Sequence, residues 1–347
     1  MFFVFIFRKK TKNKNTKKDF LPLSIVICSH NESKNLSHFL PSILLQKYPI
    51  FEVIVVNDRS DDDSEMILQN FQNQYPYLKI VTIRQTPSEF NPKKYALLQG
   101  INLSSYDTLV LTDADCFVTS ENWLSTMIAH QKPTSKIGLG ISLYQKENSF
   151  LNQFIQYETV FTAIQYIGFA LLGKPYMGVG RNLIYSKSLF LAKKGFENIT
   201  HITGGDDDLL IGKIATKNNT SVFLEKTTFT YSVPKKNWYE WYQQKKRHLS
   251  VGIYYRLETK IMLSLLHFSN IFFWWIGIFL LFSNFFLILN LFLIKISLNW
   301  FIFAVINRKY FHSTNFFLLP LFDFLFTVYF MVIGLMTFLT KKIRWKN

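Results

Sequence analysis

From residue 23 the chain alternates short apolar runs with longer stretches whose apolar residues recur at helical spacing. Residues 23–28, 51–56, 79–83 and 109–111 read as buried strands. Between them fall helices: one through Leu36, Leu40 and Leu44, one opening over residues 60–64 with acids in its first turn, and one over residues 95–101. Ser29-His30-Asn31-Glu32 and Asn57-Asp58-Arg59-Ser60 end the first two strands, and short polar residues of this kind cap helices. Such alternation predicts an α/β domain with a mostly parallel, Rossmann-like sheet covered on both faces. Ligands of these sheets lie beyond the carboxyl ends of the strands. Residues 29–32, Asp58, Asp113 and Asp115 all fall at such ends, which predicts one crevice able to hold a nucleotide.

Further along, residues 137–144 predict a strand, and residues 150–172 form an apolar stretch interrupted by Gln153, Gln156, Glu158 and Gln165. Those polar breaks suit helices packed on a membrane surface or lining a channel better than a span. A glycine-bearing loop over 173–180 precedes a strand over 181–185. Residues 204–208, Gly-Gly-Asp-Asp-Asp, then run into a helix through Leu209, Leu210 and Ile214. Residues 238–254 are aromatic and basic, which fits an interfacial anchor or a phosphate clamp.

The C-terminal part is membrane-like. Residues 261–282 and 285–306 are each long enough to span, with a turn at Ser283-Asn284, and a third apolar segment covers 316–339. Lys295 and Asp323 lie inside these segments and are expected to face protein or the interface rather than lipid. Two spans return Arg308 and Lys309 to the side of the soluble domain. A third full span would carry the basic tail across, against the positive-inside rule, so one of the three is not a simple span. Residues 1–7 are apolar but too short to cross a bilayer, and fit an interfacial anchor or the end of a longer span. The chain thus divides into an anchor and linker (1–20), a soluble α/β domain (21–255), and a transmembrane region of two to three helices with a basic tail (256–347).

Charge sharpens this picture. The 347 residues carry a formal net charge of +16, a value that would fit a nucleic-acid binder. Its distribution excludes that class: residues 8–18 hold seven Lys/Arg and residues 341–347 hold four, with no acid in either. Both runs flank apolar segments, as cytoplasmic membrane flanks do. The two cysteines, Cys28 and Cys116, fall at strand ends, which predicts reduced thiols, and no Cys/His spacing fits zinc.

The candidate chemistry begins with Asp113-Ala114-Asp115. Residues two apart on an extended chain face the same side, so both carboxylates can meet one ligand. Close carboxylates repel unless a cation lies between them, and Mg²⁺ or Mn²⁺ takes such oxygen ligands and bridges to phosphate. An acidic turn after a strand is the plain alternative. Asp206, Asp207 and Asp208 could likewise be caps favoured by the helix dipole, although one acid would suffice for that.

Together these motifs resemble the family 2 glycosyltransferases, the inverting, membrane-associated type with a GT-A fold that includes synthases of cellulose, chitin, hyaluronan and poly-N-acetylglucosamine. The resemblance covers about residues 21–250. Residues 25–32, ending in Glu32, look like the opening strand and nucleotide loop, and Val56-Asn57-Asp58 like the acid that contacts the nucleoside. Pro92-Lys93-Lys94-Tyr95-Ala96-Leu97 looks like the family's Gly-Lys-Ala-x-Ala-Leu, with Lys93 on the matching position. Asp113-Ala114-Asp115 matches the Asp-x-Asp element, Asp115 on the metal and Asp113 on the metal and nucleotide side. Gly178-x-Gly180-Arg181-Asn182 resembles the acceptor-side loop. The acidic run stands where the family has Glu-Asp-x-x-Leu, which puts the catalytic base on Asp206 or Asp207, with Gly205 replacing the usual Glu. Gln244-x-x-Arg247-His248 resembles Gln-x-x-Arg-Trp, with His248 on the acceptor side in place of Trp, a departure from the processive synthases.

The resemblance implies a membrane-bound, metal-dependent hexosyltransferase of cell-envelope glycan or glycolipid synthesis. It would move a sugar, with inversion, from a nucleotide-diphosphate donor, expected to be UDP-linked, to a lipid-linked or glycan acceptor. Its catalytic domain would face the cytoplasm beneath a multi-pass inner or plasma membrane anchor, with no nucleic-acid partner; the sequence names no partner subunit. A polyprenyl-phosphate glycosyltransferase and a non-catalytic nucleotide-binding protein are the alternatives.

Overall fold

The computed structural model describes Phe5, residues 20–280, Phe282, residues 285–311 and residues 316–339. The apolar and basic N-terminal run, the Ser283-Asn284 turn and the basic tail lie outside the described residues. Two compact units form. One takes the described residues of Lys9–Gln145 and Gln165–Val233. The other takes Phe5, Lys146–Ile164 and the described residues of Pro234–Arg344.

The first unit is built on a seven-stranded sheet. Strands β1 (Leu23–Ser29), β2 (Phe51–Asp58), β3 (Leu78–Ile83) and β4 (Thr108–Asp113) alternate with helices α1 (Ser33–Leu44), α2 (Ser64–Gln74) and α3 (Pro92–Leu103). These four strands pair in parallel in the order β3-β2-β1-β4. Leu23, Ile25, Val26 and Ile27 of β1 and Val53 to Val56 of β2 are wholly or almost wholly buried. Strands covered on both faces need such continuous apolar runs. Helix α1 closes one face with Leu36, Leu40, Ile43 and Leu44. One carboxylate starts two helices: Asp62 Oδ2 accepts from Ser33 N (2.9 Å) and Oδ1 from Ser64 N (3.0 Å).

Beyond β4 the chain departs from simple alternation. A three-residue strand, β5 (Cys116–Val118), and helix α4 (Trp123–His130) follow. Residues 137–144, expected as one strand, form two: β6 (Ile137–Leu139) and β7 (Ser142–Tyr144). The break falls at Gly140, where a Cβ would lie 2.4 Å from the Asn182 side chain. Gly140 N bonds Asn182 O (3.0 Å) and its carbonyl accepts from Tyr166 Oη (2.6 Å), so side chains and backbone from elsewhere part the strand.

Helix α5 (Phe150–Leu171) is one continuous helix, and its Gln156, Glu158 and Gln165 are buried. Strand β8 (Leu183–Ser186) begins two residues later than expected. Helix α6 (Lys187–Ala192) follows it directly, capped by Ser186 Oγ accepting from Leu189 N at 3.1 Å. Helix α7 (Asp208–Ile214) and strands β9 (Thr220–Val222) and β10 (Thr230–Ser232) complete the unit. The large sheet extends as β4-β8-β6-β9, with β8 antiparallel to both neighbours, so the sheet is mostly parallel but mixed. A small second sheet has the order β5-β10-β7.

In the second unit, helix α8 (Trp238–Ser250) starts at Asn237, whose side chain accepts from Glu240 N at 2.9 Å. Its Lys245 is buried in an ion pair with Glu158. Helices α9 (Leu257–Leu280), α10 (Phe285–Ile306) and α11 (Leu319–Leu339) follow. Residues Leu257–Leu280 and Phe285–Phe311 are long and apolar enough to cross a membrane; the corresponding stretch of α11, Leu319–Gly334, is shorter. The two charges inside these helices meet. Lys295 Nζ lies 2.9 Å from Asp323 Oδ2 and donates to Asn270 Oδ1 (2.7 Å), while Trp274 Nε1 donates to Asp323 (3.1 Å). Both face protein, as the cost of an unpaired charge in lipid requires.

Candidate active site

Register alone gathers the first acids. Cys28, next to last in β1, pairs with Asp113 on β4 on one side and with Val56 on β2 on the other, so Asp58 and Asp113 end the two strands that flank β1. Burial pushes the Cys28 thiol up; Lys93 opposes this, and Asp113, Asp206 and Asp58 add to it. Four charged groups from four segments therefore bear on one point at the carboxyl edge.

Asp58 is fully buried and takes a two-point contact from Arg59, Nε to Oδ1 at 2.8 Å and Nη2 to Oδ2 at 3.1 Å. Glu32 heads α1, accepts from Asn35 Nδ2, and its charge reaches Asp115.

Lys93 joins the two acidic clusters. Helix α3 opens with Pro92 at its first position, where a missing N–H costs nothing. The next residue sends Nζ to 3.2 Å from Asp113 Oδ1 and 3.0 Å from Asp206 Oδ2. Burial alone would lower this ammonium; Asp113, Asp206 and Asp207 outweigh it and hold Lys93 well above its ordinary value. Lys94, fully buried, donates to the carbonyls of Ile202 and Gly204. Asn91 N adds a bond to Thr200 O at 2.7 Å. The start of α3 is thus stitched along residues 200–206. Sequence reading singled out Lys93; nothing in the pattern separated Lys94's backbone role from it.

The acidic run has unequal members. Gly204 and Gly205 have φ of +82° and +79°, the left-handed region that glycine tolerates and a Glu would strain. Burial would raise Asp206, but Lys93 and Lys94 reverse this and hold it below its ordinary value. Asp207 goes the other way: burial, then the charge of Asp206, raise it despite Lys93. Its Oδ2 accepts from Gly180 N (2.7 Å) and its Oδ1 from Asp208 N (2.8 Å). Asp208 bonds Leu209 N at 2.8 Å within its own helix turn. Leu210, not Leu209, is the fully buried leucine of α7, so the spacing Asp-Asp-x-x-Leu anchors on Leu210 and starts at Asp206-Asp207.

Asp115 sits at the turn into β5. Burial and the neighbouring Asp113 raise its carboxyl, Arg181 opposes, and Glu32 raises it further. Its oxygens accept from Ser232 Oγ at 3.1 Å and the Cys116 thiol at 3.4 Å. Asp113 and Asp115 offer hard oxygen ligands in surplus negative charge, which fits Mg²⁺ or Mn²⁺ completed by phosphate oxygens and water. Among the described residues no three His, Cys, Asp or Glu gather as a self-sufficient metal cage.

The acceptor-side residues divide. Asn182 is wholly buried and its amide donates to the carbonyls of Ile141 and Thr228, both at 2.7 Å. Its amide nitrogen clamps strands together, while its Oδ1 is buried with no hydrogen-bond partner among the described residues. Arg181 is held through its carbonyl, which accepts from Thr112 and Thr230 hydroxyls at 3.0 Å each, and its guanidinium lies 4.4 Å above the Tyr144 ring. Gln244, Arg247 and His248 are on α8, in the second unit.

A sequence model described as Glycosyl transferase family 21 matches residues 2–347. The chain belongs to glycosyl transferase family 21. That agrees with the resemblance to family 2-type glycosyltransferases. Among relatives of this family 21 chain, poly-β-1,6-N-acetyl-D-glucosamine synthase of Staphylococcus epidermidis is 29% identical over 147 residues, 41% of this chain and 34% of that protein. The 4,4'-diaponeurosporenoate glycosyltransferase of Staphylococcus aureus is 26% identical over 136 residues, 39% of this chain and 35% of its own. The match thus spans about a third of the length of these relatives. Mannosyltransferase PcManGT from Pyrobaculum calidifontis, solved with GDP-Man and Mn²⁺, superposes with a TM-score of 0.53 at 19% identity, over 69% of this chain and 66% of that one. It shares the fold of the family 21 chain, the GT-A arrangement expected from the sequence.

Proposed function

We propose that this chain transfers a sugar from a nucleoside-diphosphate donor to a hydroxyl acceptor with inversion at the anomeric carbon. The observation that carries this reading is Lys93, which joins the Asp113/Asp115 pair to the Asp206/Asp207 pair at one strand edge. One pair suits a metal-diphosphate, the other proton abstraction, and a single-displacement transfer needs both within reach of one substrate.

Asp207 is the base in this reading. Asp206 is committed to Lys93 and held acidic, which makes it a poor proton acceptor. Asp207 has a raised pKa, and the N–H groups of Gly180 and Asp208 fix its orientation while leaving lone pairs for an acceptor hydroxyl. It takes the acceptor proton as the new C–O bond forms on the face opposite the leaving group. Lys93 keeps Asp113 and Asp206 from repelling one another while the site waits for donor. Glu32 and Asp58 line the nucleoside side. A divalent cation held by Asp113 and Asp115 would offset the charge gathering on the departing diphosphate.

The two apolar helices in the second unit favour an acceptor or product at a membrane, with the catalytic unit on its cytoplasmic side. The test is transfer and donor hydrolysis by the detergent-solubilised full chain across UDP-, GDP- and CDP-sugars, with and without Mn²⁺ or Mg²⁺. Acceptors would include polyprenyl phosphate, glycolipid and free glycan. Metal-dependent release of a nucleoside diphosphate from one donor supports the reading; retention of anomeric configuration in the product would overturn it.

A further inference from the structure

We propose that Arg181 is a diphosphate ligand, contacting the leaving group rather than the acceptor; this rests on the nucleotide-sugar reading above. The small sheet carries the argument. Its registers place Cys116 on β5 opposite Ser232 on β10, and Ser232 opposite Tyr144 on β7, so the three residues form one row across the sheet. Asp115 stands at one end of that row, beside Cys116 and bonded to Ser232 Oγ. At the other end the Arg181 guanidinium carbon lies over the Tyr144 ring, 4.4 Å from its centroid. Adjacent strands are about 4.8 Å apart, and Asp115 touches the middle strand at Ser232, so its carboxylate and the guanidinium over Tyr144 lie within the span of one diphosphate with its cation.

The guanidinium is placed but not used up. Its backbone is pinned by the hydroxyls of Thr112 and Thr230 at 3.0 Å each, on strands of both sheets. The contact with the Tyr144 ring holds the guanidinium in place. Yet Nη1 of Arg181 is a buried donor with no hydrogen-bond partner among the described residues. A buried donor left unpaired is costly, and phosphate oxygens are the acceptors that a guanidinium fork fits best. A cation facing Asp115 across a sheet row also complements the metal position: both would draw charge from the same group. As the bond between the anomeric carbon and the β-phosphate oxygen breaks, its electron pair passes to that oxygen. Arg181 N–H groups receive it there, while the acceptor proton goes to Asp207.

The experiment is calorimetric titration of the full chain in detergent with UDP, GDP and CDP, then with the matching nucleoside monophosphate, with and without Mn²⁺, for wild type, Arg181→Ala and Arg181→Lys. The expected result is diphosphate affinity weakened about 10- to 100-fold in Arg181→Ala, an intermediate value in Arg181→Lys, and unchanged monophosphate affinity, which also certifies the fold. Unchanged diphosphate affinity with a raised acceptor KM would overturn the proposal and return Arg181 to the acceptor side. Equal loss for monophosphate and diphosphate would overturn it as well, in favour of a structural role. If wild type binds none of the three nucleotides, the nucleotide-sugar reading fails and takes this proposal with it.

Discussion

The Lys93 ammonium lies 3.0 Å from Asp206 Oδ2, and the same Nζ is 3.2 Å from Asp113 Oδ1, so one side chain neutralises acids from two distant stretches of sequence. Replacing it by Met leaves the buried Asp206 carboxylate and the partly exposed Asp113 carboxylate without their shared cation. Lys93→Met is expected to lose about 3 kcal/mol of stability, read as a lower melting temperature of the apo protein. The loss should shrink as pH falls through the lowered titration range of Asp206.

Asp207→Asn is expected to slow transfer by about 10²- to 10⁴-fold with nucleotide affinity intact. Asp206→Asn should cost less. It should also shift the acid limb of the kcat–pH profile to lower pH, because the Asp206 charge is one cause of the raised Asp207 pKa. The sign is fixed: a base with a raised pKa is active only above it, so removing the neighbour widens the active range on the acid side. An unmoved acid limb would mean that Asp207 is not the titrating base.

The raised carboxyl of Asp115 sets function against stability. A carboxylate whose folded pKa lies above its unfolded one adds stability below the unfolded value and loses it as pH rises through the folded value. At neutral pH, Asp115→Asn is therefore expected to raise the melting temperature of the metal-free chain while abolishing the further rise that Mn²⁺ with nucleotide gives the wild type.

Asp62 presents the opposite case outside the site. Burial would raise it, but bonds from Ser64 and Ser33 bring it from 3.8 down to about 2. Its contribution is present above 3.8 and lost as pH falls toward 2. Asp62→Ala should cost about 1 kcal/mol at pH 7 and distinctly less at pH 2, checked by urea unfolding at both.

Gly205→Glu would put a side chain on a left-handed backbone. At a φ of +79° it is expected to strain the loop by about 1–3 kcal/mol and to lower activity by moving Asp206 off Lys93. Wild-type activity in this variant would show that the loop can be rebuilt.

Much of the first unit was legible because its strands obey a simple rule. Val53 to Val56 and Ile25 to Ile27 are buried on both faces, and continuous apolar runs announce that. The acids were legible because they end those runs. The small sheet was not: β5, β7 and β10 have three residues each, too few for any periodicity to register. Gly140 looked like part of a strand because its obstacle, Asn182, lies elsewhere in the sequence. For the same reason the strand-clamping bonds of Asn182 leave no trace in the sequence. Polar residues next to a glycine loop look alike in sequence whether they point to substrate or lock strands together. The row Cys116–Ser232–Tyr144 joins three separate segments, and only the fold brings them into register.

The stitching of α3 to residues 200–206 has a consequence for protein engineering. Asn91 reaches Thr200, Lys94 reaches Ile202 and Gly204, and Lys93 reaches Asp206, so helix start and acidic loop form one cassette. In a chimera with a relative, a loop grafted without its helix would meet lysines aimed at carbonyls that have moved. The two segments travel together or the graft loses its base.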